Sequence, residues 1–204
     1  RDVDAEKSTA KRHSKNISYS GKAGDPYRLE NALVALDQPG EWCVDSSKGR
    51  VYYWPKNGGM SGLEVVAPKQ CNLIRFQGNE KRGSWVHDIV IKGLTFKYTD
   101  RMPEDKWPEA WLKRNFENPD AAVFMQGVED CTIERNRFLH MGAYAVALDH
   151  HAQRNHIIGN EIGYLGAGGV QLYGYGPGVT DVNRFNEISL NHIHHTGLAP
   201  YWHS

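Results

Sequence analysis

Between Cys131 and Gly197 the chain repeats one arrangement of apolar and polar positions three times. Thr132–Gly142, Ile157–Gly166 and Asn191–Gly197 each carry an asparagine (Asn136, Asn160, Asn191). A large apolar residue follows two positions later (Phe138, Ile162, Ile193), and a glycine four positions after that (Gly142, Gly166, Gly197). Asn136 to Asn160 is a step of 24 residues and Asn160 to Asn191 one of 31, the longer step holding a Gly-rich insertion around Tyr173–Gly178. After the first two glycines, Tyr144–Leu148 and Gly168–Leu172 place apolar residues at alternating positions, the pattern of a strand with one buried face. A repeat of this length holds two or three short strands and leaves no room for a helix. It predicts an all-β chain folded as a parallel β-helix, a solenoid. An earlier copy, Asp88–Phe96, puts Phe96 in the column of Phe138 and Leu94 where the asparagines stand later. Its second strand, Ala122–Met125, is displaced by a long insertion. The stacked asparagines are predicted to bond their amides from coil to coil, an architectural role.

The pattern before the repeat differs. Residues 1–26 are polar, rich in Lys and Ser and without periodicity, and read as a linker or detached segment. Over 27–62 the chain predicts a short helix followed by a hairpin. Leu29, Leu33 and Leu36 fall at helical spacing and Pro39-Gly40 ends the run; Glu41–Asp45 and Arg50–Pro55 flank a Gly-containing turn. This element is expected to cover one end or flank of the solenoid, where strand edges need covering. Glu64–Ala67 and Asn72–Gln77 are the expected first strands of a solenoid unit running over 63–204.

Composition narrows the class. The chain has 204 residues, 24 basic and 24 acidic side chains, 40% hydrophobic residues and 21 glycines, the profile of a folded chain. The even charge balance argues against a nucleic-acid partner, and no apolar run approaches the ~20 residues of a membrane span. Three cysteines cannot all pair, so the default is buried free thiols. The repeat reaches Ser204 where a second strand is due, so the expectation is a solenoid that continues, with its last coil open to self-association.

Leu29–Leu33, Leu36–Trp42, Gly49–Pro55, Ile91–Phe96 and Leu165–Val170 resemble the motifs of bacterial right-handed β-helix glycoside hydrolases, glycoside hydrolase family 141 and its relatives. The resemblance covers roughly 27–204. It implies a right-handed coil, action on plant cell-wall polysaccharide as a fucosidase or xylanase, and a secreted or periplasmic location. It carries over no catalytic residue.

The repeat also maps chemistry, because residues one coil apart stack about 4.8 Å from each other. The corner after the recurring glycine receives Asp100, the insertion 101–120, Tyr144 and the tail 198–204. Trp107, Trp111, Tyr144, Tyr201, Trp202 and His203 gather there beside Asp100 and Asp120, as a sugar groove requires, with His195 near enough to help. Equally, Trp107 and Trp111 fit the apolar face of a short packed helix. A second corner aligns Gln126, Asp149 and Tyr173, with His150 and His151 alongside. Asp149-His150-His151 fits an acid/base cluster, with Asp149 a third catalytic candidate, or a metal site, although one Asp with two adjacent histidines pointing opposite ways is a weak ligand set; the alternative is a solvated turn. Tyr98, His140, Tyr164 and His195 form a column expected to be a partly buried polar ladder, while Arg137, Glu161 and His192 share an outward column in which Glu161 pairs with Arg137. His192, His194 and His195 are split between faces by Ile193, which argues against a metal site there, and the expectation is no metal and no cofactor.

A glycosidase needs two carboxyls, about 5–5.5 Å apart for retention and about 6.5–9.5 Å for inversion. The aromatic corner supplies Asp100 and Asp120 from one coil only, so the pair is either these two loop-borne aspartates or, the favoured reading, one of them with a carboxylate beyond Ser204. The reading is a glycoside hydrolase on poly- or oligosaccharide; the alternatives are a β-helix polysaccharide lyase and a non-catalytic carbohydrate-binding solenoid.

Overall fold

The computed structural model describes residues 2–4, 9–11, 32–101, 120–175 and 178–199. The chain divides into two compact units, Arg1–Val65 and Val66–Ser204. In the first, Asp2–Asp4 (β1) and Thr9–Lys11 (β2) pair antiparallel within the segment read as a linker. Trp42–Asp45 (β3) and Arg50–Tyr53 (β4) form the expected hairpin, with Cys43 opposite Tyr52. Its turn is held by Asp45, whose Oδ1 accepts from the Ser47 hydroxyl (2.6 Å) and amide (3.1 Å). The helix expected from Leu29 to Leu36 needs correction. Its described part is one 3-10 turn, Leu33–Ala35, with no side-chain cap and no buried residue, so the apolar spacing there has no face to pack.

The second unit is built of four stacked coils. Ile74–Gln77 (β5), Val86–His87 (β6), Val90–Lys92 (β7) and Thr95–Lys97 (β8) make the first. Ala121–Glu129 (β9), Thr132–Glu134 (β10) and Arg137–Met141 (β11) make the second, and Tyr144–Gln153 (β12), His156–Ile158 (β13) and Glu161–Leu165 (β14) the third. Val170–Tyr173 (β15), Asn183–Arg184 (β16), Glu187–Ser189 (β17) and His192–His194 (β18) make the fourth. No strand forms over Glu64–Ala67. The coils pair in parallel as three sheets: sheet I in the order β15-β12-β9-β5, with β16 on β12 and β6 on β9; sheet II as β17-β13-β10-β7; sheet III as β18-β14-β11-β8. This is an all-β, β-helix-like solenoid. No helix among the described residues is long and apolar enough to cross a membrane.

Register follows the sequence columns. Phe96, Phe138, Ile162 and Ile193 stand opposite one another in sheet III, the two phenylalanine rings stacked at 4.8 Å. The first three are buried, but Ile193 is 42% exposed, against the expectation for the whole column. It lies on the outermost described coil, where no described strand pairs with the outer edge of β18, and Ile188 on β17 is exposed for the same reason. The core between the sheets holds Ile91, Ile133 and Ile157 from sheet II and Val123, Met125, Val146 and Leu148 from sheet I.

Corners are bound by asparagine ladders. Between sheets II and III, Asn160 Oδ1 accepts from the Asn136 amide at 2.9 Å while its Nδ2 donates to the Ile133 carbonyl (2.9 Å) and to Asn191 Oδ1 (2.9 Å). Where Leu94 replaces asparagine, its amide donates to Asn136 Oδ1. A second ladder, not read from the sequence, binds sheet I to sheet II. Asn155 accepts from the Cys131 amide and donates to Asn186 Oδ1 at 2.9 Å, so Cys131 fills the second coil's place in that column. These side chains satisfy backbone groups that turn inward at each corner, groups that would otherwise be buried without partners.

Candidate active site

Sheet I bends midway, and the four coils bend differently. Gln77, Gln126, Asp149 and Tyr173 share one column. The second coil crosses the bend with a single residue, Gly127, at φ 64°, and its Cα packs so tightly on Gly78 that a Cβ at Gly127 would lie 2.8 Å from the Gly78 Cα. The third coil has one residue more, so its register with β9 shifts between Asp149 and Ala152 and His150 takes φ 50°. That bulge re-aims both histidines. The first and fourth coils insert loops here, 78–85 and 174–182.

Asp149 sits on the face of sheet I that turns away from the main core, on the same side as Phe124 and Ala147, which form a second buried apolar cluster with Ala121. Arg75 lies over the Phe124 ring at 4.2 Å. The Asp149 side chain is fully buried; Oδ2 meets His150 Nδ1 at 2.7 Å, whereas Oδ1 has no hydrogen-bond partner among the described residues. Burial pushes its pKa up, His150 pulls it back, and the charge of Glu80 raises it further. The bend is therefore not a solvated turn.

Glu80 comes from the first-coil insertion. Its Oε2 accepts from the Tyr175 hydroxyl of the fourth-coil insertion, and its Oε1 accepts from the His151 amide at 3.4 Å. The Tyr175 hydroxyl is pushed up to about 12, chiefly by this bond, and stays protonated as a donor. The two insertions thus meet across the inner coils. Tyr175 also places its ring edge-on to His150 at 4.4 Å, with Tyr173 at 6.0 Å. Beside them the fourth-coil insertion lines an open pocket of about 480 Å³, with Leu172, Tyr173, Tyr175, Val179, Asp181 and Val182 among its walls.

The surrounding polar groups are tied down. His151 stacks on Trp85 at 3.7 Å and bonds Glu129 at 2.8 Å; Arg154 pairs with Glu129 and Asp130, and these bonds hold both carboxyls below their usual range. Gln77 donates to Gln126 at 2.6 Å. No group of three or more His, Cys, Asp or Glu among the described residues is arranged to hold a metal.

The other expected corner is assembled only in part. Asp100 and Asp120 both act on Cys71, whose thiol is pushed up to about 11 by burial and then by these two carboxylates. Tyr144 is half-buried against Ala121, Phe124 and Ala147, with its hydroxyl pKa raised by burial. Trp107, Trp111, Tyr201, Trp202 and His203 lie outside the described residues. Tyr98, His140, Tyr164 and His195 stack as expected, at 5.7, 4.9 and 4.7 Å, but on the outside. Each has positive φ, which turns the ring out at the end of sheet III, so the ladder is exposed rather than partly buried. Arg137 bonds Glu161 at 2.6 Å, as its column predicts.

Residues 14–56 match the family model described as the GH141 insertion domain. The matched span lies within the first unit and relates the chain to glycoside hydrolase family 141. No curated protein and no solved structure matches the chain. The GH141 resemblance thus rests on the unit that holds the hairpin, whereas Asp149 and its neighbours lie in the second unit.

Glu80, Trp85, Glu129 and Tyr175 were missed in the sequence. One signal was available for Glu80: aligning Gln77 with Gln126 exposes an insertion in the first coil at the column where the fourth coil carries its own.

Proposed function

We propose that this chain belongs to a glycoside hydrolase and that its solenoid carries the acid of the reaction at the bend in sheet I. The observation that carries the reading is Asp149: fully buried, raised in pKa, one oxygen paired to His150 and the other without a described partner. A carboxyl so placed holds its proton to higher pH than an exposed aspartate does, the property a general acid needs to protonate a glycosidic oxygen as the C–O bond breaks. Tyr173, Tyr175 and the apolar lining of the adjoining pocket offer faces for a sugar ring. The GH141 match supports the same class.

The finer reading follows the family resemblance: a right-handed coil, as parallel crossovers nearly always are, a plant cell-wall polysaccharide cleaved in fucosidase- or xylanase-like fashion, and a secreted or periplasmic setting. Association through the outer edge of β15, β17 and β18 is consistent with the exposed Leu172, Ile188 and Ile193.

The test is product analysis on xylan, fucosylated pectin fragments and aryl glycosides, with Asp149→Asn as control. Saturated reducing sugars that disappear in the variant support the proposal. Unsaturated, ultraviolet-absorbing ends would make the protein a lyase, and binding without products would make it a carbohydrate-binding solenoid.

A further inference from the structure

We infer that the outer edge of the fourth coil is a docking surface for a polypeptide coil of the same repeat, one that presents two asparagine side chains five residues apart. This rests on the association proposed above for that edge and names its partner; it does not depend on the role of Asp149.

Both asparagine ladders run in one direction. In each, a backbone N–H donates to the side-chain oxygen of the asparagine one coil later. Leu94 donates to Asn136, Asn136 to Asn160 and Asn160 to Asn191 in one ladder, and Cys131 to Asn155 and Asn155 to Asn186 in the other, each at 2.9 or 3.0 Å. The side-chain Nδ2 donates back to a carbonyl of the coil before, as Asn191 does to Ile157 at 2.7 Å and Asn186 to Ala152 at 2.9 Å. In the fourth coil both ladders stop. The Oδ1 atoms of Asn186 and Asn191 are taken up by the third coil, and no described residue accepts from either backbone N–H. Two donors therefore stand at the corners of an edge whose strands have no outer neighbour among the described residues, waiting for the next asparagine of each ladder.

The outward side of the same coil points the same way. The residue just before each ladder position has positive φ, and in the first three coils it is charged or glycine, as Asp130, Arg135 and Gly159 are. In the fourth coil these places are taken by Phe185 and Leu190, 72% and 86% exposed. Apolar surface is thus concentrated on the coil whose ladders are open, which marks a surface for a protein partner. A second copy of the chain does not fit. Its first coil carries Ile89 and Leu94 at the two ladder positions, with no side-chain acceptor, and on its fourth coil both asparagine oxygens are turned back to the third. The partner must bring its own asparagines. Aspartate is the poorer choice, because the incoming side chain has to accept from the Asn191 N–H and also donate to the Ile188 carbonyl, which stands in register with Ile157.

The experiment adds to the full chain a synthetic peptide of its own third coil, Arg154 to Leu165, which carries Asn155 and Asn160 with the apolar Ile157 and Ile162. Nuclear magnetic resonance follows the Asn186 and Asn191 backbone amides, and sedimentation measures whether the chain associates alone. The peptide is expected to shift both amides saturably and to slow their exchange with solvent. The N155A/N160A peptide should bind about 10-fold more weakly or worse, having lost both acceptors, and the N155D/N160D peptide should also bind more weakly than the parent. Equal binding by the alanine peptide, or binding that leaves both amides unmoved, overturns the inference. Copies of the chain that associate with one another and are not displaced by the peptide overturn the choice of partner and leave association at the edge standing. A chain that stays monomeric and binds none of the peptides counts against association at that edge altogether.

Discussion

The corner between sheets II and III and the bend in sheet I are built on the same stacked coils, yet they treat buried polar groups in opposite ways. At the corner, Asn136, Asn160 and Asn191 repeat at the same place, so the Asn136 and Asn160 backbone amides find their partner in the next coil and all three side-chain amides donate to a carbonyl of the preceding one. At the bend, no two coils agree. One crosses on a glycine, one on a bulge and two on insertions, and the result is a buried carboxyl, Asp149, one of whose oxygens has no hydrogen-bond partner among the described residues. Regular stacking satisfies polar groups internally and leaves little for a substrate. A break in the repeat leaves groups whose partners must come from outside, which is where solenoid function concentrates.

The contrast can be broken most severely at the ladder. Asn160→Ala strands the buried Asn136 amide and removes the two bonds that Asn160 Nδ2 donates, to the Ile133 carbonyl and Asn191 Oδ1; at about 1–3 kcal/mol for the stranded group and about 0.5–1.5 kcal/mol for each lost bond, the loss should reach about 2–6 kcal/mol. Urea unfolding measures it, and turnover per folded molecule should not change. A loss of only a few tenths would show that the corner tolerates unpaired groups as the bend does. Phe138→Ala, which empties a fully buried site, should cost about 3–5 kcal/mol, and Ile193→Ala distinctly less because its side chain is already exposed.

At the bend the expected response is reversed. Asp149→Asn should cut turnover about 10²–10⁴-fold while raising the thermal midpoint at neutral pH. The sign follows from linkage. Asp149 binds its proton more tightly folded than unfolded, so its contribution is fully present below the unfolded carboxyl pKa and is lost as pH rises through the raised folded value. Above that value the folded protein must bury a charge that asparagine does not carry. The advantage of the variant should therefore shrink as the pH falls into the range where Asp149 is protonated in both states. A variant less stable than the parent at neutral pH would mean that His150 pairing outweighs burial.

The smallest effect belongs to the outward column. Arg137→Gln removes an exposed ion pair with Glu161, and its thermal midpoint should not move measurably. A clear drop would place that column among the structural ladders.

The repeat around Cys131–Gly197 was enough to align the coils, because a stacked strand leaves a fixed apolar column and a fixed polar corner at each step. Phe96, Phe138, Ile162 and Ile193, the Asn136–Asn160–Asn191 ladder and the Gln126–Asp149–Tyr173 column all stand in the register that spacing dictates. The hairpin was equally local, set by two alternating strands around a glycine turn. What spacing could not express is burial on the outer face of sheet I and the meeting of loops from the first and fourth coils. Asp149-His150-His151 reads as a polar turn because its burial depends on what packs over it, not on its neighbours in sequence. Glu80 and Tyr175 lie 95 residues apart, yet share a bond because two insertions leave the stack at the same column and reach across the coils between them. Periodicity fixes which residues stack; only the folded chain decides which departures from it converge.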